Sequence, residues 1–542
     1  SGTCSQDGFR SDRLRRDVNG TLERRLAALT RHAADGGLAG GRKGLEKESL
    51  RIEPGGRMSR LPHPAVLGSA LTHPHITTDF SEALMEFVTP PFGETWETLQ
   101  FLCDIHQFVY ENLDDELLWA TSMPCPVAGE SSIPLARYGD SNVGTMKTVY
   151  RRGLGYRYGR AMQAISGVHF NYSLPERFWP IYEEIERNRE TQEAFRSRAY
   201  FDLLRNFRRH GWLVLYLFGS SPAVCKSFMR GRKTRMPEFD AGTLYEPYAT
   251  SLRMSDLGYR NATQKSLSIS LNSLDEYIDG LTRAITTPHA PYEKIGVVVD
   301  GVHRQLNANI LQIENEYYSF IRPKRVAQSG ERPTHALRRG GVEYVELRAL
   351  DVSAFDPVGV NRHELRFLEA FLIFCLLADS PPIEGDEQPG LEANYHQVAH
   401  RGRDPALDLR DRDGNRPLKD WAREIVDRMR GVCDLLDEGN SERPYGIALE
   451  VQGRAVEDSD LTPSARILAG MRDSGLSFFP FGLQMSEAHK AYFLALGSVQ
   501  EGRRAAFREA AKNSLAEQRA IEAADDISFA AYLHRYFAGG QS

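Results

Sequence analysis

Long apolar runs are the first thing this sequence lacks. The longest, "WLVLYLF" (212–218) and "FLEAFLIFCLLA" (367–378), fall short of the roughly 20 residues that a bilayer-spanning helix needs. The opening "SGTCSQDGFRSDRLRRD" has no apolar core of a signal peptide, and Ser1, which is not a methionine, is read as following a processing junction. A cytoplasmic location with no membrane partner is expected. Cysteine is sparse and scattered: Cys4, Cys103, Cys125, Cys225, Cys375 and Cys433, with no CxxC pair. That excludes a zinc cluster and a dense disulfide framework, and reduced thiols are expected. Positive charge is not in excess. Lys and Arg total 67 against 73 Asp and Glu, a net −6, which argues against a general polyanion binder, so no nucleic-acid partner is expected. Nor is there a nucleotide-binding glycine loop. GxxxxGK[ST] is absent, no GxGxxG follows a strand, and "GLGYRYG" (153–159) has the wrong spacing. Any bound nucleotide must then be held largely through metal ions and arginines.

What remains is a globular composition, 41% hydrophobic and 26% charged over 542 residues, enough for a large core. Residues 1–38 are read as an extension with a helix in "LERRLAALTRHAA". Residues 39–380 are read as a core mixing period-two stretches with helices, and 381–542 as a mostly helical part packed on it. Helical spacing marks 91–114 and 198–217, and "FLEAFLIFCLLA" looks like a buried helix that could equally face a subunit. The stretch 379–397 is expected to be a loop by its Pro, Gly and acids. The Ala- and charge-rich tail is read as a helical cover with a solvated face. No βαβαβ rhythm appears, so the class is α+β with an antiparallel sheet.

The period-two stretches carry an unusual load. In "GLEKESLRIEP" (44–54), Glu46 and Glu48 share a strand face with Leu50 and Ile52. "EYVELRALD" groups Glu346 and Arg348; "SGVHFNYS" groups His169, Asn171 and Ser173. "ILQIENEYY", read as a strand, groups Gln312, Glu314, Glu316 and Tyr318, the two acids being left without a role. "TTDFSEALMEFVTPP" adds Asp79, Glu82 and Glu86. Any one polar face reads as the wet side of a sheet. Together they hold mainly Glu, Asp, Asn and His rather than Lys, Thr and Ser. Converging acidic faces repel unless cations neutralise them, and magnesium, a hard cation that takes oxygen ligands and bridges to phosphate, suits them. Asp79 and Glu82 also fit a D-x-x-E capping box opening a short helix, the preferred reading for Glu82. "THPH" (72–75) is read as a turn rather than a ligand pair.

The strings "GLEKESLRI", "LTHPHITTDFSEALMEFVTP", "YRRGLGYRYGRAMQAISGVHFNYSLP", "LYEPYATSLRMSDLGY", "LQIENEYYSFIRPKR" and "RGGVEYVELRALDV" together resemble the bacterial glutamate–cysteine ligases, or γ-glutamylcysteine synthetases. The likeness runs in order from about residue 42 to 380 and returns at "LTPSARIL" (461–468). Residues 1–38 and 385–455 inherit little from it. It implies a glutamine-synthetase-like fold, with antiparallel strands forming a funnel and helices packed outside. It also implies a ligase that joins the γ-carboxylate of L-glutamate to the amine of L-cysteine through γ-glutamyl phosphate, with ATP as co-substrate. That reaction is the first step of glutathione synthesis. Carried over by the resemblance, the metal ligands are Glu46, Glu48, Asp79, Glu86, His169 and Glu346, for Mg²⁺ or Mn²⁺. Arg348 would meet the transferring phosphoryl group, its alternative being an ion pair with a neighbouring acid. Phe80, Tyr150, Leu154, Gln163, Arg253, Tyr259 and Tyr318 would line the amino-acid pockets. Ser49 stands where the family's motif has threonine, on the opposite strand face. Three other readings stay open: a glutamate ligase for another amine, a non-catalytic nucleotide-binding paralogue, and a metal-dependent phosphohydrolase. Oligomeric state is not legible.

Overall fold

The computed structural model describes residues 20–32, 37–229, 232–258, 267–328, 330–497 and 500–539. Its centre is a seven-stranded sheet built from the period-two stretches: β1 (Arg42–Ile52), β2 (Ile76–Thr78), β3 (Leu84–Val88), β4 (Leu117–Leu118), β5 (Val168–Ser173), β6 (Ile321–Lys324) and β7 (Tyr344–Leu350). The order is β6-β7-β5-β1-β3-β2, with β4 paired to the end of β1, and every pairing is antiparallel. Register puts the acidic positions side by side. Glu48 lies opposite Glu86, Glu46 opposite His169, and Glu346 opposite both Asn171 and Arg322. A one-residue slip in any pair would send these side chains to the other face.

Helices cover that other face. The run read as a buried helix is one, Arg362–Leu377, opened by Asn361, whose side-chain oxygen accepts from the N–H groups of His363 and Glu364. It is buried nearly all round, as a helix apolar on every side must be. The predicted helices at 91–114 and 198–217 appear as Thr95–Asn112 and as the consecutive pair Gln192–His210 and Trp212–Phe218. One hydrophobic cluster runs from Leu22 and Leu29, on a helix over 20–31, through the sheet's helix side to Phe493 and Phe507. The tail helix Glu501–Ala524 buries only Phe507, Ala511 and Ser514, the rest forming the solvated face expected of it.

Four local expectations are corrected. "ILQIENEYY" is not a strand: Glu314–Glu316 is a turn of 3₁₀ helix. Its acids are used locally, Glu314 accepting from Arg332 and Thr334, and Glu316 from Arg157, Tyr158 and the Gln312 N–H. No helix opens at Asp79, where 79–83 is the bend between β2 and β3. Glu82 instead accepts at 2.6 Å from the N–H groups of His63 and Arg137, satisfying loop backbone rather than a helix end. Only the first half of 379–397 is a loop, because Pro389 sits in the first turn of a helix, Gln388–Arg401, where its missing N–H costs nothing. Cys125 and Cys225 form a disulfide, Cα atoms 5.9 Å apart, while Cys103, Cys375 and Cys433 are free. The turn at "THPH" is as read, with His73 Nδ1 accepting from the His75 and Ile76 N–H groups.

Candidate active site

The acids of β1, β3 and β7 and His169 of β5 meet on the sheet face opposite helix Arg362–Leu377. Donor atoms of Glu46, Glu86 and His169 lie within 4.8 Å of one another. His169 Nδ1 is 3.0 Å from Glu46 Oε2 and 3.5 Å from Glu346 Oε1, and Asn171 Nδ2 donates to Glu46 Oε1 at 2.9 Å. Glu48 accepts from the Gly167 N–H at 2.6 Å. Asp79 is held at the β2–β3 bend by its carbonyl, which accepts from Tyr138 and Arg151.

Their charges report how crowded the face is. Burial, then Asp79, pushes Glu48 up to about 8, against the pull of Arg253 and Arg348. Glu86 is raised well above the carboxylate range by burial and then by Glu46, Asp79 and Glu48. Burial also works to raise Glu46 and Glu346, but cations outweigh it. The hydrogen bond with His169, followed by the charges of His169 and Lys324, holds Glu46 low. Lys324, Arg348, His169 and Arg322 hold Glu346 far lower. Burial and Arg348 lower the His169 imidazole from its ordinary value. With Nδ1 protonated toward Glu46, its other nitrogen keeps a lone pair.

A divalent ion fits these groups. Glu346 Oε2 is buried without a hydrogen bond, the nearest cation being Lys324 Nζ at 3.5 Å, and Asn171 Oδ1 is buried and unsatisfied too. Carboxylate oxygens dominate, as a hard cation requires, and three ligand residues already converge. His169 is the atypical member, imidazole being more at home on softer metals.

Arg348 Nη1 donates to Glu346 Oε1 at 2.9 Å, the ion-pair alternative raised for it, and its guanidinium lies within 3.5 Å of His169 Nδ1. Arg253 is almost wholly buried, donates to the Arg348 carbonyl at 3.1 Å and faces Asp351 at 3.6 Å. Gly167 fixes both sides of this wall. A Cβ there would lie 2.0 Å from Arg253 Nη2, and its N–H holds Glu48, so no larger residue admits both contacts. Tyr318 joins them, its charge environment set by Arg253 and Arg348 and its hydroxyl 3.1 Å from Met254 Sδ.

The remaining pocket candidates are dispersed. Phe80 and Leu154 pack in a second apolar cluster with Met162 and Ile165. Tyr150 borders a third, with Val149 and Ile313, and lies within electrostatic range of Asp79 and Arg322. Gln163 ends a short helix, Arg160–Gln163, partly exposed. Tyr259 lies outside the described residues. Sequence reasoning passed over Arg151, Arg322 and Lys324, cations within electrostatic range of the acids. Arg322 and Lys324 alternate in "FIRPKR", which was the available signal.

A family model described as glutamate-cysteine ligase matches residues 26–398. The chain is 49% identical over 521 residues to the glutamate–cysteine ligase of Alcanivorax borkumensis, covering 95% of this chain and 99% of that one. It is 49% identical over 523 residues to that of Azotobacter vinelandii, covering 96% and 98%. Among solved structures, the glutamate–cysteine ligase of Francisella tularensis in complex with AMP superposes with a TM-score of 0.87 at 37% identity, over 92% of this chain and 98% of that chain. A bifunctional glutathione synthetase from Pasteurella multocida shares the fold at 22% identity, TM-score 0.69, over 87% of this chain and 55% of that one.

Proposed function

The chain belongs to the glutamate–cysteine ligase family, with its glutamine-synthetase-like fold, and we propose that the acid-lined sheet face is where its reaction occurs. It is an ATP-dependent ligase that forms γ-glutamylcysteine. A carboxylate is a poor electrophile toward an amine, so the γ-carboxylate of glutamate first takes the terminal phosphoryl group of ATP, releasing ADP. The cysteine amine then attacks the acyl phosphate, the new amide forms, and phosphate leaves with the amine proton passing to solvent or a base.

The chain's own residues supply position and charge. Glu46, Glu48, Asp79, Glu86, His169 and Glu346 are the proposed holders of magnesium, or manganese. When bound, that ion neutralises the ATP phosphates. Arg348, braced on Glu346, is suited to meeting the charge that gathers on the transferred phosphoryl group. Arg253, buried beside Gly167, is suited to gripping a substrate carboxylate, with Tyr318 beside it. Phe80, Tyr150, Leu154, Gln163 and Tyr259 complete the proposed amino-acid pockets. ATP is a cytoplasmic reactant, and we expect the chain to act in the cytoplasm on small molecules alone.

One observation carries this reading: Glu46, Glu48, Asp79, Glu86 and Glu346 crowd one buried face, where burial and the neighbouring acids raise Glu48 and Glu86 and one Glu346 oxygen accepts no hydrogen bond. ADP release in the presence of Mg²⁺, ATP and glutamate, with and without cysteine, tests it. Release that needs glutamate and rises sharply with cysteine, with equimolar γ-glutamylcysteine by mass spectrometry, is expected. Preference for another amine would change the substrate; no stimulation by any amine would bring the non-catalytic reading forward.

A further inference from the structure

A second cluster of metal-binding side chains lies outside the acid-lined face. His396 and His400 stand one turn apart on helix Gln388–Arg401, so both imidazoles leave the same side. Facing them is Asp256, in the segment that continues from the 3₁₀ turn Leu252–Met254. His400 Nε2 lies 2.9 Å and His396 Nε2 3.7 Å from Asp256 Oδ1, and the two rings are 4.6 Å apart. One donor atom from each residue falls within a 4.8 Å group.

We propose that Asp256, His396 and His400 bind a divalent transition-metal ion of the zinc class, fastening the Arg253 segment to helix Gln388–Arg401. Two imidazoles and a carboxylate are a borderline donor set that suits zinc, copper or nickel rather than magnesium. Around a tetrahedral zinc, donor atoms lie about 3.4 Å apart, given metal–ligand distances near 2.0–2.2 Å. The two measured separations, 2.9 and 3.7 Å, straddle that spacing, so small side-chain rotations would close the site. The supporting shell is present: Glu246 Oε2 sits 2.8 Å from His400 Nδ1, the arrangement that fixes the tautomer of a ligating histidine. An entry path exists, since the Asp256 and His396 side chains are 44% and 42% exposed, and water can fill a fourth position.

A purely structural reading competes with this one. His400, protonated, would bridge Glu246 and Asp256; although burial opposes the charge, the hydrogen bonds to Asp256 and Glu246 raise it to about 9. In that reading His396 is a second, longer contact to the shared carboxylate, at 3.7 Å. In the metal reading, His396 is a ligand, and binding the ion displaces the His400 proton.

The full-length protein in excess Mg²⁺ would be titrated with Co²⁺, followed by its visible absorption, and then with Zn²⁺ as competitor. Wild type should bind one equivalent more than His396→Ala, with the intense bands of a four- or five-coordinate ion, lost on adding Zn²⁺. His396→Gln, an isosteric change, should lose the same equivalent, and unaltered ADP-forming activity without Co²⁺ would show both variants folded. Zn²⁺ should slow amide exchange across 252–258 in wild type and leave it unchanged in the variants. Equal stoichiometry and spectra in wild type and both variants would overturn the proposal, leaving His400 as a structural bridge.

Discussion

The two faces of β1 bury charge in opposite ways. On the helix side, Lys43, Lys47 and Arg51 are nearly inaccessible, and Lys43 and Arg51 have matched carboxylates. Lys43 Nζ lies 2.8 Å from Glu369 on helix Arg362–Leu377, and Arg51 lies 2.7 Å from Glu116. Lys47 meets His106 at 2.8 Å rather than a carboxylate, and burial lowers its ammonium to about 7. On the other face, Glu46 and Glu48 join Asp79, Glu86 and Glu346, and burial, then the neighbouring acids, lifts Glu48 and Glu86. A buried charge with one partner of its own is part of the frame. Acids crowded together beyond what their neighbours neutralise are a site for a ligand that brings positive charge.

The largest test of this contrast is Arg348→Ala on the acidic face. If Arg348 meets the transferring phosphoryl group as proposed, its loss should cut kcat by about 10³-fold or more, with circular dichroism and thermal unfolding little changed. Lys43→Ala on the helix side should do the reverse. An uncompensated Glu369 at the sheet–helix contact should cost about 3–5 kcal/mol in urea unfolding, with kcat near wild type in what stays folded. The pair Lys43→Met with Glu369→Leu should recover most of that loss; a double variant as unstable as the single one would break the contrast. Gly167→Ala strikes between the faces. Displacing Arg253 should lower kcat/KM by about 10²-fold, because small misplacements of a positioning group have effects of that order. Smallest is Glu82→Gln, next to the site in sequence yet bonded only to loop backbone. It should cost about 1 kcal/mol in unfolding and leave kcat within twofold.

Strand alternation made much of this legible in advance. It set Glu46 beside Glu48 and Glu346 beside Arg348, and no βαβ rhythm competed with an antiparallel sheet. It failed at "ILQIENEYY", where period-two spacing came from a 3₁₀ turn whose acids hold Arg332 and Arg157. Helix-side Lys43, Lys47 and Arg51 could not be told from solvated lysines, since their partners Glu369, His106 and Glu116 lie 65 to 326 residues away except for His106, at 59. The Cys125–Cys225 bond was hidden for the same reason, its cysteines being 100 residues apart. Gly167 shows the limit most sharply: its close approach to the Arg253 guanidinium is visible only in the fold.

Anomalous diffraction from crystals of the protein soaked in Mn²⁺ with a non-hydrolysable ATP analogue tests the central claim most directly. The account predicts manganese among Glu46, Glu48, Asp79, Glu86, His169 and Glu346, with the phosphates between it and Arg348. Nucleotide bound with no manganese among those six side chains would contradict it.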